Sequence, residues 1–316
     1  MKCRICALNL ETQAIVATES MYGYGDRFNY FLCKNCACLQ IESYPSEMGK
    51  YYPLGYHSAS GIKSFVRFSK SYLLSCRDRF ELGSFNIFGW LLSIYLPSLG
   101  LKFLRPYILK KDIRILDVGC AEGQMLRSLS QLGYKNLTGV DPFCQNQNTY
   151  SGCVFIKDYF ATVTEKFDLI TFFHSLEHMP DQSLVFKKIF DSLNDGGVCV
   201  VALPIFPNYV WDLYGVNWVQ LDAPRHFYLH SVKSLNILAS DHSLRIKDIF
   251  YNSYEFQFMG SKVVSKGRST KTSKGFIFSI VFFPYFLINK LYYRVFSNYL
   301  NKIKKGDQVV VVFEKM

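Results

Sequence analysis

From Ile113 onward the chain follows a rhythm that few folds accommodate. Short apolar runs alternate with helical patterns: IRILDV, QMLRSLSQLG, NLTGVD, CVFIKD, FDLITFF, LVFKKIFDSL and GVCVVALP. Strands and helices alternating at this spacing predict a parallel sheet with helices on both faces. Further on, SVKSLNILASDHSL reads as a helix with Ser231 as its N-cap, and RIKDIFY and QVVVVFEK read as two more strands.

In an open parallel sheet a ligand binds beyond the carboxyl ends of the strands. The loop after the first strand is ILDVGCAEGQ, Ile115 to Gln124. A dinucleotide site would place G-x-G-x-x-G here, so that a pyrophosphate could sit on a helix N-terminus. The three positions are instead Gly119, Ala121 and Gln124, and Glu122 would repel a pyrophosphate. A P-loop is excluded because no Gly-Lys-Ser/Thr follows. A cationic ligand without phosphate fits better, and the sulfonium and ammonium groups of S-adenosylmethionine meet that description. GVDP places Asp141 at the tip of the second strand, 22 residues after Gly119. A carboxylate there can accept both hydroxyls of a ribose.

ILDVGCAEGQ, GVDP, FDLITFFHSLEHMPD and LNDGGVCVVALP, in this order, resemble the class I S-adenosylmethionine-dependent methyltransferases. The likeness covers roughly Ile113 to Leu203, with QVVVVFEK as the last strand. It implies an α/β fold: a seven-stranded, doubly wound, Rossmann-like sheet with one antiparallel strand, QVVVVFEK. It further implies that Asp117, Gly119 and the Cys120–Ala121 backbone hold the methionine part of the cofactor, and that Asp141 holds the ribose. Phe173 would also belong to the cofactor site, and Asp158, in FIKDYF, would lie near the adenine amine. For Asp158 the alternative is an exposed turn aspartate. The sequence departs from the family at Ala121, where glycine is usual.

The 316 residues leave room for a small module before such a domain. Residues 1–45 hold two pairs, Cys3-x-x-Cys6 and Cys33-x-x-Cys36, separated by 26 residues. Four thiolates so paired suit a tetrahedral structural zinc, with disulfides or unligated thiols as the alternatives. A module of this size cannot stabilise itself on a core alone, so a metal staple is physically sensible. MKCRICALNL has no apolar h-region, which points to a cytoplasmic protein with reduced cysteines. The pairs resemble the zinc ribbons that precede the methyltransferase domain in sugar and cell-surface-polysaccharide methyltransferases. The runs LQIESYPSEMGKYYPLGYHS and VNWVQLDAPRHFYLHSVKSL add to that likeness. The expected organisation is therefore a zinc module at 1–45 and a linker with amphipathic helices at 46–110. The methyltransferase domain would span 111–316, with a helical apolar insert at about 255–305.

HSLEHMPD follows the fourth strand of the sheet. It offers His174, Glu177 and His178, and His226 in APRHFYLH is placed over the same cleft by the family likeness. Methyl transfer from a sulfonium needs a positioned nucleophile and a proton acceptor. The cluster resembles the E-x-x-E-H metal site, with its distant histidine, of small-RNA 2′-O-methyltransferases and some quinone O-methyltransferases. Here His174 stands where the first glutamate would be. General base, ligand of a divalent metal and purely structural hydrogen bonding all remain open for these residues.

The net charge of +11 calls for an acidic partner. Two apolar stretches, Gly83–Leu101 and Gly275–Asn289, are interrupted by Pro97 and Pro284 and bordered by lysines and arginines. They fit either helices lying in a membrane interface or faces packed on the sheet or in a dimer seam. The expected activity is O-methylation of a sugar, or of a nucleotide- or lipid-linked sugar, in surface glycan assembly, with peripheral contact to the inner face of the membrane. The alternatives are C-methylation of a keto-sugar, methylation of RNA or tRNA, and a non-enzymatic cofactor-fold scaffold that organises a membrane-bound synthesis complex, against which the intact Asp117, Gly119 and Asp141 set argues. Nucleic acid is disfavoured because no [DNS]-P-P-[YF] follows the fourth strand.

Overall fold

A computed structural model describes residues 2–9, 14–53, 67–96, 98, 100–144, 152–271 and 283–316. His57, Pro97 and residues 275–282 of the second apolar stretch lie outside them. The chain starts with three short strands, β1 (Ile15–Thr18), β2 (Arg27–Leu32) and β3 (Leu39–Ile41). Helices α1 (Arg67–Glu81), α2 (Ile87–Tyr95) and α3 (Leu101–Leu104) follow.

The alternating part then gives β4 (Arg114–Val118), α4 (Gln124–Gln131), β5 (Asn136–Val140), β6 (Cys153–Ile156) and β7 (Phe167–Phe173). It continues with α5 (Gln182–Ser192), β8 (Leu193–Pro204), α6 (Tyr209–Tyr214), β9 (Tyr228–Leu229) and α7 (Val232–Asp241). The last elements are β10 (Leu244–Tyr251), α8 (Phe256–Val264), α9 (Phe283–Lys302) and β11 (Gln308–Lys315).

The large sheet has seven strands in the order β10-β11-β8-β7-β4-β5-β6. β4 pairs in parallel with β5 and with β7, so it sits at the centre. β11 runs antiparallel to both β8 and β10. This is the doubly wound, Rossmann-like sheet that the resemblance implies, with QVVVVFEK as its antiparallel strand. Val309 to Phe313 of β11 are all buried, because helices cover both faces of the sheet. A strand covered twice reads as a continuous apolar run and not as an alternation. The helix ends follow their caps. Asp181 accepts from the Leu184 N–H at the start of α5, and Ser231 and Ser234 form a reciprocal capping box at α7.

The N-terminal residues form a second sheet in the order β1-β2-β3-β9, and β9 comes from the large domain. Leu39 pairs with Leu229 and Gln40 with Tyr228. The Tyr30 hydroxyl donates to the His226 carbonyl at 2.8 Å, and the Ser231 hydroxyl donates to the Cys36 carbonyl. One apolar cluster runs from Cys3, Ile5 and Tyr30 through Tyr228 and Leu229 to the core under β7 and β8. Three short strands bury too little surface to stand alone, so the module draws its core from the larger domain as well as from its cysteines.

Candidate active site

The cavity lies where β4, β5 and β7 end. After β4 the backbone turns through Gly119 (φ +76°) and Ala121 (φ +47°) into α4. A Cβ on Gly119 would come within 2.5 Å of the Ser175 Cβ, so the close approach of two loops fixes glycine there. Ala121 holds a left-handed conformation that favours glycine, which is the physical content of its departure from the family pattern. The Gly119 N–H donates to the Val140 carbonyl at 2.8 Å, and the Ser175 hydroxyl donates to the Val118 carbonyl at 2.7 Å.

Two carboxylates anchor this end. Asp141 is buried and accepts from the Ala121 N–H at 2.9 Å and the Phe143 N–H at 2.7 Å, one bond per oxygen. Each oxygen keeps a lone pair for a further donor. Asp117 is buried on β4 and accepts from the Thr171 hydroxyl at 2.8 Å. Burial pushes its carboxyl up to about 7; the Thr171 hydrogen bond opposes the rise and the charge of Asp141 adds to it. No Lys, Arg or His lies within ion-pair distance of either among the described residues. Two adjacent buried carboxylates without a cation make this end of the cavity a place for positive charge.

The cavity, about 560 Å³, is lined by Gly119, Ala121, Asp141, Phe143, Phe173, His174, Ser175, His178 and His226 among others, and none of its lining among the described residues is Lys or Arg. Asp117 and Cys120 lie behind this lining. Asp158 is not part of it: its carboxylate accepts from the Tyr159 N–H, and Tyr159 and Phe160 reach the cavity instead. Several lining residues carry no motif in the sequence. Tyr52 stacks on Phe143 at 5.8 Å and 12° and places its hydroxyl 3.3 Å from His178 Nδ1. Met21 arrives from the loop between β1 and β2, and Tyr254 and Phe256 from the start of α8. Only the aromatic density of YYPLGYHS and the position of Phe143, two residues after Asp141, hinted at these contributions.

The four residues of the histidine cluster converge. Glu177 is fully buried in a 3-10 turn, with neither carboxylate oxygen hydrogen-bonded. Its Oε1 lies 3.4 Å from His174 Nδ1 and 3.9 Å from His226 Nε2. His226 Nδ1 lies 2.7 Å from the Gln220 carbonyl, and His178 Nδ1 lies 2.7 Å from the Arg225 carbonyl. A carbonyl can only accept, so both rings carry a proton on Nδ1, which leaves Nε2 as the acceptor atom of the neutral form. Burial first, and His178 second, push His226 down to about 4, so it is neutral at pH 7. Ligand atoms of Glu177, His178 and His226 lie within 4.8 Å of one another.

The second cluster is formed by Cys3, Cys6, Cys33 and Cys36, whose sulfurs also lie within 4.8 Å of one another. Cys3 Sγ is 3.6 Å from Cys36 Sγ, and Cys6 Sγ is 3.5 Å from Cys33 Sγ. Disulfide sulfurs stand about 2 Å apart, whereas thiolates about 2.3 Å from one tetrahedral ion stand nearly 4 Å apart. The two turns are near copies. Ala7 and Ala37 both have positive φ, and their N–H groups donate back to the Cys3 and Cys33 carbonyls. The Gln40 amide and the Ile5 N–H point at Cys3 Sγ, as donors around a thiolate do. Cys38 is buried in the core outside this set.

Residues 94–246 match the family model described as a methyltransferase domain. The ubiquinone biosynthesis O-methyltransferase of Psychrobacter cryohalolentis is 28% identical over 157 residues, covering 43% of this chain and 60% of that protein. The protein of the same name from Colwellia psychrerythraea is 32% identical over 99 residues, covering 28% of this chain and 40% of the relative. The chain thus spans well under two thirds of these relatives. Among solved structures, a coclaurine N-methyltransferase covers 74% of this chain and 73% of its own at 17% identity, with a TM-score of 0.44. A methyltransferase from Methanosarcina mazei covers 68% and 97% at 17% identity, with a TM-score of 0.43.

Proposed function

We propose that this chain is an S-adenosylmethionine-dependent O-methyltransferase acting on a sugar hydroxyl, in glycan or lipid-linked form, and that its four clustered cysteines hold one structural zinc. The observation that carries the reading is the pairing of uncompensated carboxylates, Asp141 in the cavity lining and Asp117 just behind it, with the neutral imidazole of His226 beyond β7. Bound S-adenosylmethionine supplies a methyl group already activated on a sulfonium. Asp117 and the Gly119–Ala121 backbone hold the charged methionine end, and Asp141 accepts from the ribose hydroxyls. His226 Nε2 accepts the acceptor hydroxyl's proton, and Glu177 stabilises the imidazolium that forms. Gln220, Asp222 and Gln308 give the far wall donors and acceptors suited to a polyol.

The likeness to polysaccharide-pathway enzymes in the cysteine module and in the run Val216–Leu235 supports the sugar. The relatives named for O-methylation support transfer to oxygen over carbon. A nucleic acid or nucleotide-sugar acceptor is disfavoured because, among the described residues, no Lys or Arg lines the cavity.

A second reading rests on Glu177. Glu177 is a fully buried carboxylate without a hydrogen bond beside the neutral His226, and a divalent ion on Glu177, His178 and His226 would supply positive charge there.

Transfer of a labelled methyl group from S-adenosylmethionine to a panel of simple glycosides, with catechol and tRNA as competing acceptors, tests these readings. Label is expected in a glycoside. His226→Ala is expected to lower turnover by about 10²–10⁴-fold while leaving cofactor affinity unchanged. Label in catechol or tRNA alone would contradict the sugar. Loss of turnover with chelator, restored by a divalent ion, would favour the metal over the base.

A further inference from the structure

The charge of this molecule is unevenly placed. Residues 82–111 and 256–306 contain fourteen of the 36 Lys and Arg and none of the 25 Asp and Glu. The remaining 235 residues then hold 22 cations against 25 anions, a net of −3, so the whole positive charge belongs to these two stretches. The same stretches carry α2 and α9, the helices with exposed apolar stripes. On and beside α2, Phe85 is 82% and Phe88 69% exposed, with Ile87, Trp90, Leu91 and Ile94 also open to solvent. On α9, Ile288 is 68% and Leu291 64% exposed, with Leu287, Tyr292, Val295 and Tyr299 completing a stripe at helical spacing. Arg294 ties the two helices together, donating to the Ile94 carbonyl from α9.

We propose that this face docks on the interface of an anionic lipid bilayer. Apolar stripes with cationic edges are the pattern of helices that lie in the headgroup region. Lys102 and Arg105 share a surface pocket with Phe85, and Arg105 lines a second pocket with Arg79, Lys111 and the exposed Leu109. Lys302, Lys304 and Lys305 close the end of α9. None of the described helices is long and apolar enough to cross a membrane, so contact is with the surface. A second copy of the chain is a poorer occupant, because a two-fold seam would set the excess of Lys and Arg in these stretches against its own like. A nucleic acid would leave the exposed aliphatic side chains Ile87, Ile94, Ile288, Leu291 and Val295 without a partner, since bases stack on aromatic rings.

The docked face adjoins the cavity mouth. Glu255 holds Arg294 through two bonds, at 3.0 and 3.1 Å, and lies between Tyr254 and Phe256, which line the cavity. An acceptor carried on a lipid would therefore meet the mouth at the level of the bilayer surface. The docking itself does not depend on the proposed chemistry.

Flotation of the full chain with vesicles of phosphatidylcholine, with and without phosphatidylglycerol, at low and high salt tests this. Anionic vesicles are expected to carry the protein at low salt, and high salt is expected to release much of it. Lys102→Ala with Arg105→Ala is expected to weaken partitioning by about thirtyfold, each cation near an anionic surface contributing about fivefold. Phe88→Asp with Ile288→Asp is expected to abolish it while the thermal unfolding curve keeps its midpoint. Failure to float with anionic vesicles at low salt would overturn the proposal. So would equal, salt-insensitive flotation with neutral vesicles, or a dimer in light scattering that Phe88→Asp dissolves.

Discussion

Arg225→Ala is expected to lower the free energy of unfolding by about 3–5 kcal/mol, the usual cost of stranding a buried charge. Arg225 has no solvent exposure and meets both Asp222 oxygens, at 2.9 and 2.6 Å, as well as Glu19 Oε1 at 3.0 Å and the Tyr51 carbonyl at 3.3 Å. Glu19 is itself buried and gathers the N–H groups of Tyr22, Gly23 and Tyr24. Without the guanidinium, two carboxylates are left unpaired in the interior. Arg225→Lys is expected to recover only part of the loss, since an ammonium cannot bridge Asp222 as a fork does. Urea unfolding of both variants measures this. The effect has a pH signature. Burial works against the Asp222 charge, but the Arg225 hydrogen bonds outweigh it and hold the carboxyl below the usual carboxylate range. Its contribution is therefore complete above about pH 4, the unfolded value, and is lost as pH falls through the lower folded value.

Cys33→Ser is expected to abolish binding of the one equivalent of zinc proposed for the wild-type chain, and to open residues 2–53 to proteolysis. Metal–ligand bonds in small zinc modules supply about 10–16 kcal/mol of apparent folding energy, more than the short sheet could replace. The loss is expected to reach the cavity, because Tyr30 holds the His226 carbonyl and Glu19 holds both Arg225 and the loop that carries Met21. Metal analysis with limited proteolysis checks both parts. A Cys33→Ser protein that keeps a full equivalent of zinc would rule out the four-cysteine site.

What was legible in the sequence follows a physical division. Strand and helix identity in the large sheet depends on local periodicity, so the alternation after Ile113 and the helix starting at Ser231 could be read directly. The glycine-rich loop and Asp141 could be read because their backbone demands restrict residue choice. The cysteine pairs declare themselves by spacing. By contrast, the β3–β9 pairing joins residues about 190 positions apart through a two-residue strand, too short to carry a pattern. The Glu19–Arg225 ion pair has the same difficulty, since charged residues look alike until the fold makes one of them buried. Asp158 illustrates the converse. A carboxylate at the expected place in the chain points back to its own loop, and the aromatic Tyr159 beside it reaches the cavity. Tyr52 and Met21 were hidden because they reach the cavity from segments that precede the alternating part of the chain.

The most direct test of the central claim is calorimetry of S-adenosylmethionine binding to the zinc-loaded chain, at pH 7.5 and pH 5.5, with Asp141→Ala as the comparison. The account predicts one site per chain. Asp141→Ala is expected to weaken it by about five- to 150-fold, equivalent to losing hydrogen bonds worth about 1–3 kcal/mol. Binding of a cation favours the ionised form of Asp117, whose carboxyl is pushed up to about 7 by burial behind the cavity wall. Affinity is therefore expected to rise from pH 5.5 to pH 7.5. No measurable binding by the folded protein, or an Asp141→Ala variant with wild-type affinity, would contradict the account.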